Sequence, residues 1–126
     1  MGNSPGLRLT SFLNKADELY IEAFTTQKFK VLSQDFSRDV QLAIIDYTTY
    51  YRLERDFAIR RLRKNTWEII DENDEEITLI KIQRFEKIRI SLFKSMAAAQ
   101  DYQETWKVSK QDRKYIVTYI GNYRLI

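Results

Sequence analysis

The sequence predicts an α+β fold in which N-terminal helices pack on a curved antiparallel sheet of cone-like shape. Three observations carry that prediction. Apolar residues in the first half recur at three- and four-residue spacing; the period falls to two after Asn65; and Tyr102 to Val108 and Tyr115 to Ile120 flank the polar segment Ser109 to Lys114 in the manner of a β-hairpin.

The elements follow in order. Thr10 or Ser11 can cap a first helix whose apolar positions are Phe12, Leu13, Ala16, Leu19, Tyr20, Ala23 and Phe24. Thr25-Thr26 offers a break before a short helix that turns Phe29 and Leu32 inward. Ser37 can cap a third helix, with Asp39 near its positive end and a stripe through Val40, Ala43, Ile44, Tyr47, Tyr51 and Leu53. The same spacing continues through Phe57, Ala58 and Leu62, which favours one long helix, kinked near Thr48-Thr49, over a strand at Val40 to Ile45.

Thr66 to Ile70 then reads as a short strand and Asp71 to Glu76 as a charged turn. Ile77 to Phe85, rich in β-branched residues, reads as a full strand. Alternation continues through Ile88, Ile90 and Leu92. Met96 to Gln100 is open between helix, from its alanines, and a strand running on to Tyr102; small residues there can also mark where something lies close to the sheet. Gln103 to Ser109 and Lys114 to Ile120 complete a meander, and Gly121-Asn122 is expected to stop the last strand.

The chain has 126 residues, 44% of them hydrophobic and 31% charged, enough for one domain spanning 1–126 with a real core, its residues 1–6 a linker or disordered start. No run approaches the ~20 apolar residues that cross a bilayer as a helix, so the expectation is a soluble chain, as a piece of a membrane-associated protein would also be. There is no cysteine and no histidine. Ser-His-Asp and Cys-His catalysis are excluded, thiolate zinc sites with them, and neither metal nor cofactor is expected.

Net charge is +3, and its distribution says more than its total. Arg52, Arg55, Arg60, Arg61, Arg63 and Lys64 crowd one segment. That segment can be a solvated helix face paired with Glu54 and Asp56, or it can bind an acidic protein surface, anionic lipid or nucleic-acid phosphates. Lys81, Arg84, Lys87, Arg89 and Lys94 would strengthen a binding role if they share its surface, and Phe85, Phe93 and Tyr102 could stack bases. No RNA-recognition signature, phosphate loop or dinucleotide fingerprint accompanies them, and Asp71 to Glu76 lacks the glycine and ligand spacing of a calcium loop.

The order of elements, with Glu104-x-Trp106-x-Val108 followed by Tyr115-x-Val117-x-x-Ile120, resembles the nuclear transport factor two superfamily. The nearest likeness is to the branch that includes the C-terminal domain of the mitochondrial import-motor anchor and related bacterial membrane-associated and conjugation proteins. Tyr20 to Phe24, Phe29-x-x-Leu32 and Phe36-Ser37 resemble the paired opening helices of that branch; the acidic insert at Asp71 to Glu76 departs from it. The resemblance implies a cone, and in enzymes of the superfamily the cone holds an acid-base constellation.

Here Asp46, Tyr47, Tyr50 and Tyr51 could supply a carboxylate and phenols to such a pocket, and Glu104 beside Trp106 could supply a base. Packing explains the tyrosines better, because a phenol ring fills volume while its hydroxyl stays wet. Glu104 is better explained as the cross-strand partner of a cation such as Arg89 or Lys114, and Trp106 as a residue packed on the helix side. The expectation is therefore a non-catalytic protein-association module in or beside a membrane-associated assembly, binding a protein partner or a second copy of itself. A small-molecule enzyme or ligand-binding protein with a pocket inside the cone is the alternative, and a nucleic-acid-binding domain the second alternative.

Overall fold

The computed structural model describes residues 4–26, 28–32, 35–50, 57–61, 65–89, 96–111 and 114–125. Of these, 24–26, 31, 47–50, 57–61, 85–89, 96–102 and 122–125 are described by their backbone alone. The order is α1 (Leu7–Thr26), a 3₁₀ turn (Phe29–Leu32), α2 (Arg38–Tyr50), β1 (Phe57–Arg61), β2 (Thr66–Glu72), β3 (Glu76–Arg89), β4 (Met96–Gln111) and β5 (Lys114–Leu125). The helices come first and pack on one face of a curved antiparallel sheet, as the residue patterns predict.

α1 begins one turn earlier than Thr10. The Thr10 amide already donates to the Gly6 carbonyl, and its hydroxyl turns back to the Pro5 carbonyl, so Thr10 lies inside the first turn instead of capping it. α1 buries Leu9, Leu13, Ala16 and Ala23, a stripe at helical spacing. Leu32 from the 3₁₀ turn joins that core fully buried, with Phe29 packed partly against it. α2 starts where the sequence places it: Ser37 Oγ accepts from the Val40 amide at 3.3 Å, and Asp39 occupies the first turn.

The long third helix is not continuous. Phe57–Arg61 is a strand, paired antiparallel with Phe85–Arg89. The physical reason lies in β3, whose pairing with β2 ends at Ile82 and leaves a seven-residue arm to Arg89, five residues of which, Phe85–Arg89, pair with β1. β1 and β2 thus lie end to end along one edge of β3, and the sheet is four strands wide in the order β1/β2, β3, β4, β5. Met96 to Gln100 resolves as strand, held in unbroken register with β3 from Met96↔Arg89 to Ser109↔Glu76.

β5 runs through Gly121-Asn122 to Leu125 instead of stopping there. Two irregularities make room. The pairing steps from Gln103↔Arg124 to Thr105↔Gly121, giving β5 an extra residue opposite Glu104, and from Lys107↔Tyr119 to Val108↔Val117, leaving Thr118 over. Thr118 Oγ1 then donates to the Lys107 carbonyl at 3.3 Å. Such bulges add twist and bend a sheet. A Cβ on Gly121 would fall 2.2 Å from the Tyr119 hydroxyl, so the Tyr119 side chain lies over the glycine and covers the backbone there.

The free edge of β5 is partly closed from inside the chain. Val117 donates to the Asp35 carbonyl at 2.8 Å and accepts from the Ser37 amide at 2.9 Å, so the lead-in to α2 pairs with the edge before the helix begins. At the opposite edge of the sheet, the acidic turn is an ordered hairpin. Asn73 Oδ1 accepts from the amides of Glu75 and Glu76 at 2.8 and 2.9 Å, and Lys110 on β4 bonds the Asn73 carbonyl and pairs with Glu72.

Candidate functional site

The inward positions of the sheet are apolar at one end and polar at the other. β3 turns Ile77, Leu79, Lys81 and Gln83 inward, and β4 turns Glu104, Trp106 and Val108 inward, all buried. Register sets Lys81 between Trp67 on β2 and Glu104 on β4. Above them α1 contributes Asp17, which follows Leu13 and Ala16 on the buried stripe and is itself fully buried.

These residues form a closed ionic triad. Lys81 Nζ donates to Asp17 Oδ1 at 2.6 Å and pairs with Glu104 Oε1 on its other side. Asn65 Nδ2 donates to Asp17 Oδ2, and the Tyr20 hydroxyl donates to Glu104 Oε2 at 3.2 Å. Aromatic rings complete the enclosure: the ammonium lies 5.3 Å from the Tyr20 ring centroid and 5.1 Å from that of Trp106. Trp67 and Tyr20 meet Trp106 edge to face at 5.0 and 5.9 Å, and Trp67 Nε1 donates to Asn14 Oδ1 at 2.9 Å. Asn14, Asp17 and Tyr20, three residues apart on α1, thus each hold a different strand of the sheet.

The side chains of Lys81, Asp17 and Glu104 are 0%, 0% and 5% exposed. Removing such groups from water costs several kcal/mol per ion on the order-of-magnitude scale, a cost that their facing each other offsets. The arrangement therefore ties α1 to β3 and β4, and it leaves the lysine amine engaged by carboxylates on two sides.

The residues singled out in the sequence fall in different places. Glu104 and Trp106 belong to this cluster, Glu104 as the cross-strand partner of Lys81; register sets Arg89 across from Met96 and Lys114 across from Gln111, which removes both as its partner. Asp46 is exposed on α2 and stands apart from them. Tyr47 and Tyr50 lie in α2 by their backbone, while their side chains, and Tyr51 altogether, are outside the described residues. Arg52, Arg55, Arg63 and Lys64 are outside the described residues; Arg60 and Arg61 are placed by backbone in β1, so this basic run is not a single helix face.

Lys81 does not share a surface with Arg84, because neighbouring inward and outward positions of β3 bury the first and expose the second. Lys94 and Phe93 are outside the described residues, as are the side chains of Phe85, Lys87, Arg89 and Tyr102. Asp17 and Asn65 are residues that sequence reasoning passed over, and Lys81, read there as a cation that would support a binding surface if it shared one, is buried. A signal for two of them was present: Asp17 sits in phase with Leu13, Ala16 and Tyr20, and Lys81 in phase with Ile77 and Leu79, so each is a charge on a buried face.

The domain is thus an α+β unit whose sheet interior is built around a buried ion cluster. No family model matches the chain, and no curated protein matches it in sequence. Among solved structures it is similar to the crystal structure of the intermembrane space region of the chloroplast protein ARC6, with a TM-score of 0.64, 9% sequence identity, and coverage of 94% of this chain and 97% of that one. At that identity the likeness is one of fold.

Proposed function

We infer that this domain is a non-catalytic protein-association module with the cone-like form of the nuclear transport factor two superfamily, working in or beside a membrane-associated assembly. The observation that carries this reading is how the interior is filled. Asp17, Lys81 and Glu104 engage one another behind Trp67 and Trp106, so these acid-base groups are turned away from solvent. Recognition then falls to the outside of the sheet. Ile80 and Ile82 are half-buried on β3, Tyr119 is exposed on β5, and Lys107 Nζ lies 5.7 Å from the Tyr119 ring.

Charge on this outer face is divided. Glu68 and Asp71 line β2, while Lys107 lies on β4 and Lys114 at the start of β5. A second copy related by a two-fold axis would bring each sign against its opposite, which makes self-association the simplest assembly. The likeness in fold to an intermembrane space region of a chloroplast protein is compatible with a domain held beside a membrane.

Sedimentation velocity across the micromolar range tests this. The chain should pass from monomer to dimer with rising concentration, and Lys107→Glu combined with Tyr119→Ala should stay monomeric. A wild-type chain still monomeric at about 100 μM, a weak-affinity limit of about −5.5 kcal/mol, would remove self-association through this face.

A further inference from the structure

The sheet continues beyond the ion cluster as a three-stranded arm, in which β1, Phe85–Arg89 of β3 and the start of β4 lie abreast in one register. Alternation assigns each position of the arm to a face. On one face, each of three cross-strand levels sets a cation beside an apolar residue: Arg89 beside Phe57, Lys87 beside Ile59, and Arg61 beside Phe85. The β4 positions that complete these levels, 96, 98 and 100, hold no charge. On the other face the signs are matched, with Arg60 across from Glu86 and Arg84 across from Asp101. The first face therefore has three cations and no acid among its described positions.

The surplus does not depend on local pairing. Residues 51–64 and 84–101 hold ten lysines and arginines against four acids, while the rest of the chain holds eleven against fourteen. The arm also lies beyond the helix that covers the cluster. α1 crosses the sheet at one level, where Asn14, Asp17 and Tyr20 meet Trp67, Lys81 and Glu104, three residues that register sets abreast. At about 3.4 Å per residue, Lys87 and Arg89 lie roughly 20 and 27 Å further along β3, more than the width of a helix, about 10–12 Å. α2 begins beside Val117, which is level with Ile77 at the other end of β3. Lysine and arginine are rarely buried without a counter-charge, so a face of this composition is turned to water or to an anion.

We propose that the face of the arm carrying Arg61, Lys87 and Arg89 docks an extended acidic segment of a partner protein, with acids alternating with apolar residues. Acids at alternate positions of an extended chain repeat at about 6.8 Å, the spacing of positions 87 and 89 on β3, and apolar residues between them suit the apolar half of each level. A long polyanion such as nucleic acid fits less well, because past the arm it meets a remainder of the chain with the opposite net charge. The proposal rests on the reading of the domain as an association module. It uses the face opposite to that of Lys107 and Tyr119, so its test is separate from that of self-association.

The test is fluorescence anisotropy at low salt with a short fluorescein-labelled peptide of alternating glutamate and valine, which should bind saturably. Lys87→Gln with Arg89→Gln should weaken binding about tenfold, the loss of two exposed charge pairs. Arg60→Gln with Arg84→Gln removes the same charge from the opposite face of the same arm and should change binding less than about twofold. Ala98→Glu sets an acid on the docking face and should weaken binding too, whereas Ala99→Glu, one position along the same strand, should not. Equal thermal midpoints within at least one of these pairs separate lost docking from lost folding. No saturable binding below about 1 mM, equal losses from the members of a pair, or tighter binding of oligo(dT) of equal charge or of phosphatidylserine vesicles would each overturn the proposal.

Discussion

Replacing Lys81 by methionine removes the only positive charge of the buried triad while keeping the length of the side chain. Asp17 and Glu104 would then lose the ammonium they share, while Asp17 keeps its hydrogen bond from Asn65 and Glu104 its hydrogen bond from Tyr20. Breaking a buried pair by deleting one partner costs about 3–5 kcal/mol, and because two carboxylates lose the same partner the upper end, about 5 kcal/mol, is expected. A chain of 126 residues has a total stability of roughly 6–19 kcal/mol at about 0.05–0.15 kcal/mol per residue, so this single change consumes a large share of it. Urea titration reads the loss directly: both tryptophans border the triad, and with a slope of about 2 kcal/mol per molar the midpoint should fall by about 2.5 M at unchanged slope. The companion variant Asp17→Leu, Lys81→Met, Glu104→Leu replaces the whole triad with apolar groups and should equal the wild type or exceed it by about 1–4 kcal/mol. A Lys81→Met loss below about 1 kcal/mol, or a triple variant as unstable as the single one, would refute the account of three mutually compensating buried charges.

Smaller effects follow from single contacts. Ser37→Ala removes the acceptor of the Val40 amide at the start of α2 and should cost about 1 kcal/mol by the same titration. Trp67→Phe keeps an aromatic ring against Trp106 but leaves Asn14 Oδ1 without its indole donor, for a loss of about 1–2 kcal/mol. Asn73→Ala frees the Glu75 and Glu76 amides at the hairpin tip, so their hydrogen exchange should quicken by about fivefold, or about 1 kcal/mol, while global stability barely moves.

What could be read from the sequence was whatever depends on local pattern. The stripe of α1, the cap of α2 at Ser37, the hairpin at Asp71 to Glu76 and the closing meander all rest on residues within a few positions of one another, and each appears in the fold. Phe57 to Arg61 went the other way because its fate is set by an open arm of β3 nearly thirty residues later, and an apolar residue every three or four positions also fits a short strand. Gly121-Asn122 read as a stop because a glycine weakens a strand; the Tyr119 side chain covers it and the bulge opposite Glu104 lets pairing resume at Arg124. Glu104 could be suspected as a buried carboxylate from its place beside Trp106, but its partner depended on the β3–β4 register, which hydrophobic alternation fixes only to the nearest two residues.

That ambiguity gives the triad a consequence beyond stability. β3 and β4 pair over fourteen residues, from Glu76 to Arg89, with no bulge to pin their register. Sliding one strand by two residues keeps every apolar position facing inward, so apolar burial discriminates poorly against it. The same slide sets Lys81 opposite position 102 or Trp106 in place of Glu104, and separates two buried charges that are tolerable only together. The ion cluster therefore penalises the misregistered sheet more than it stabilises the correct one. It follows that the apolar triple variant should be stable yet less uniquely folded, with exchange broadening or doubled amide resonances along Ile77–Gln83 and Glu104–Val108 in ¹H–¹⁵N spectra. A single sharp set of resonances matching the wild type in that variant would mean that the hairpin turn and α1 packing set the register without the charges.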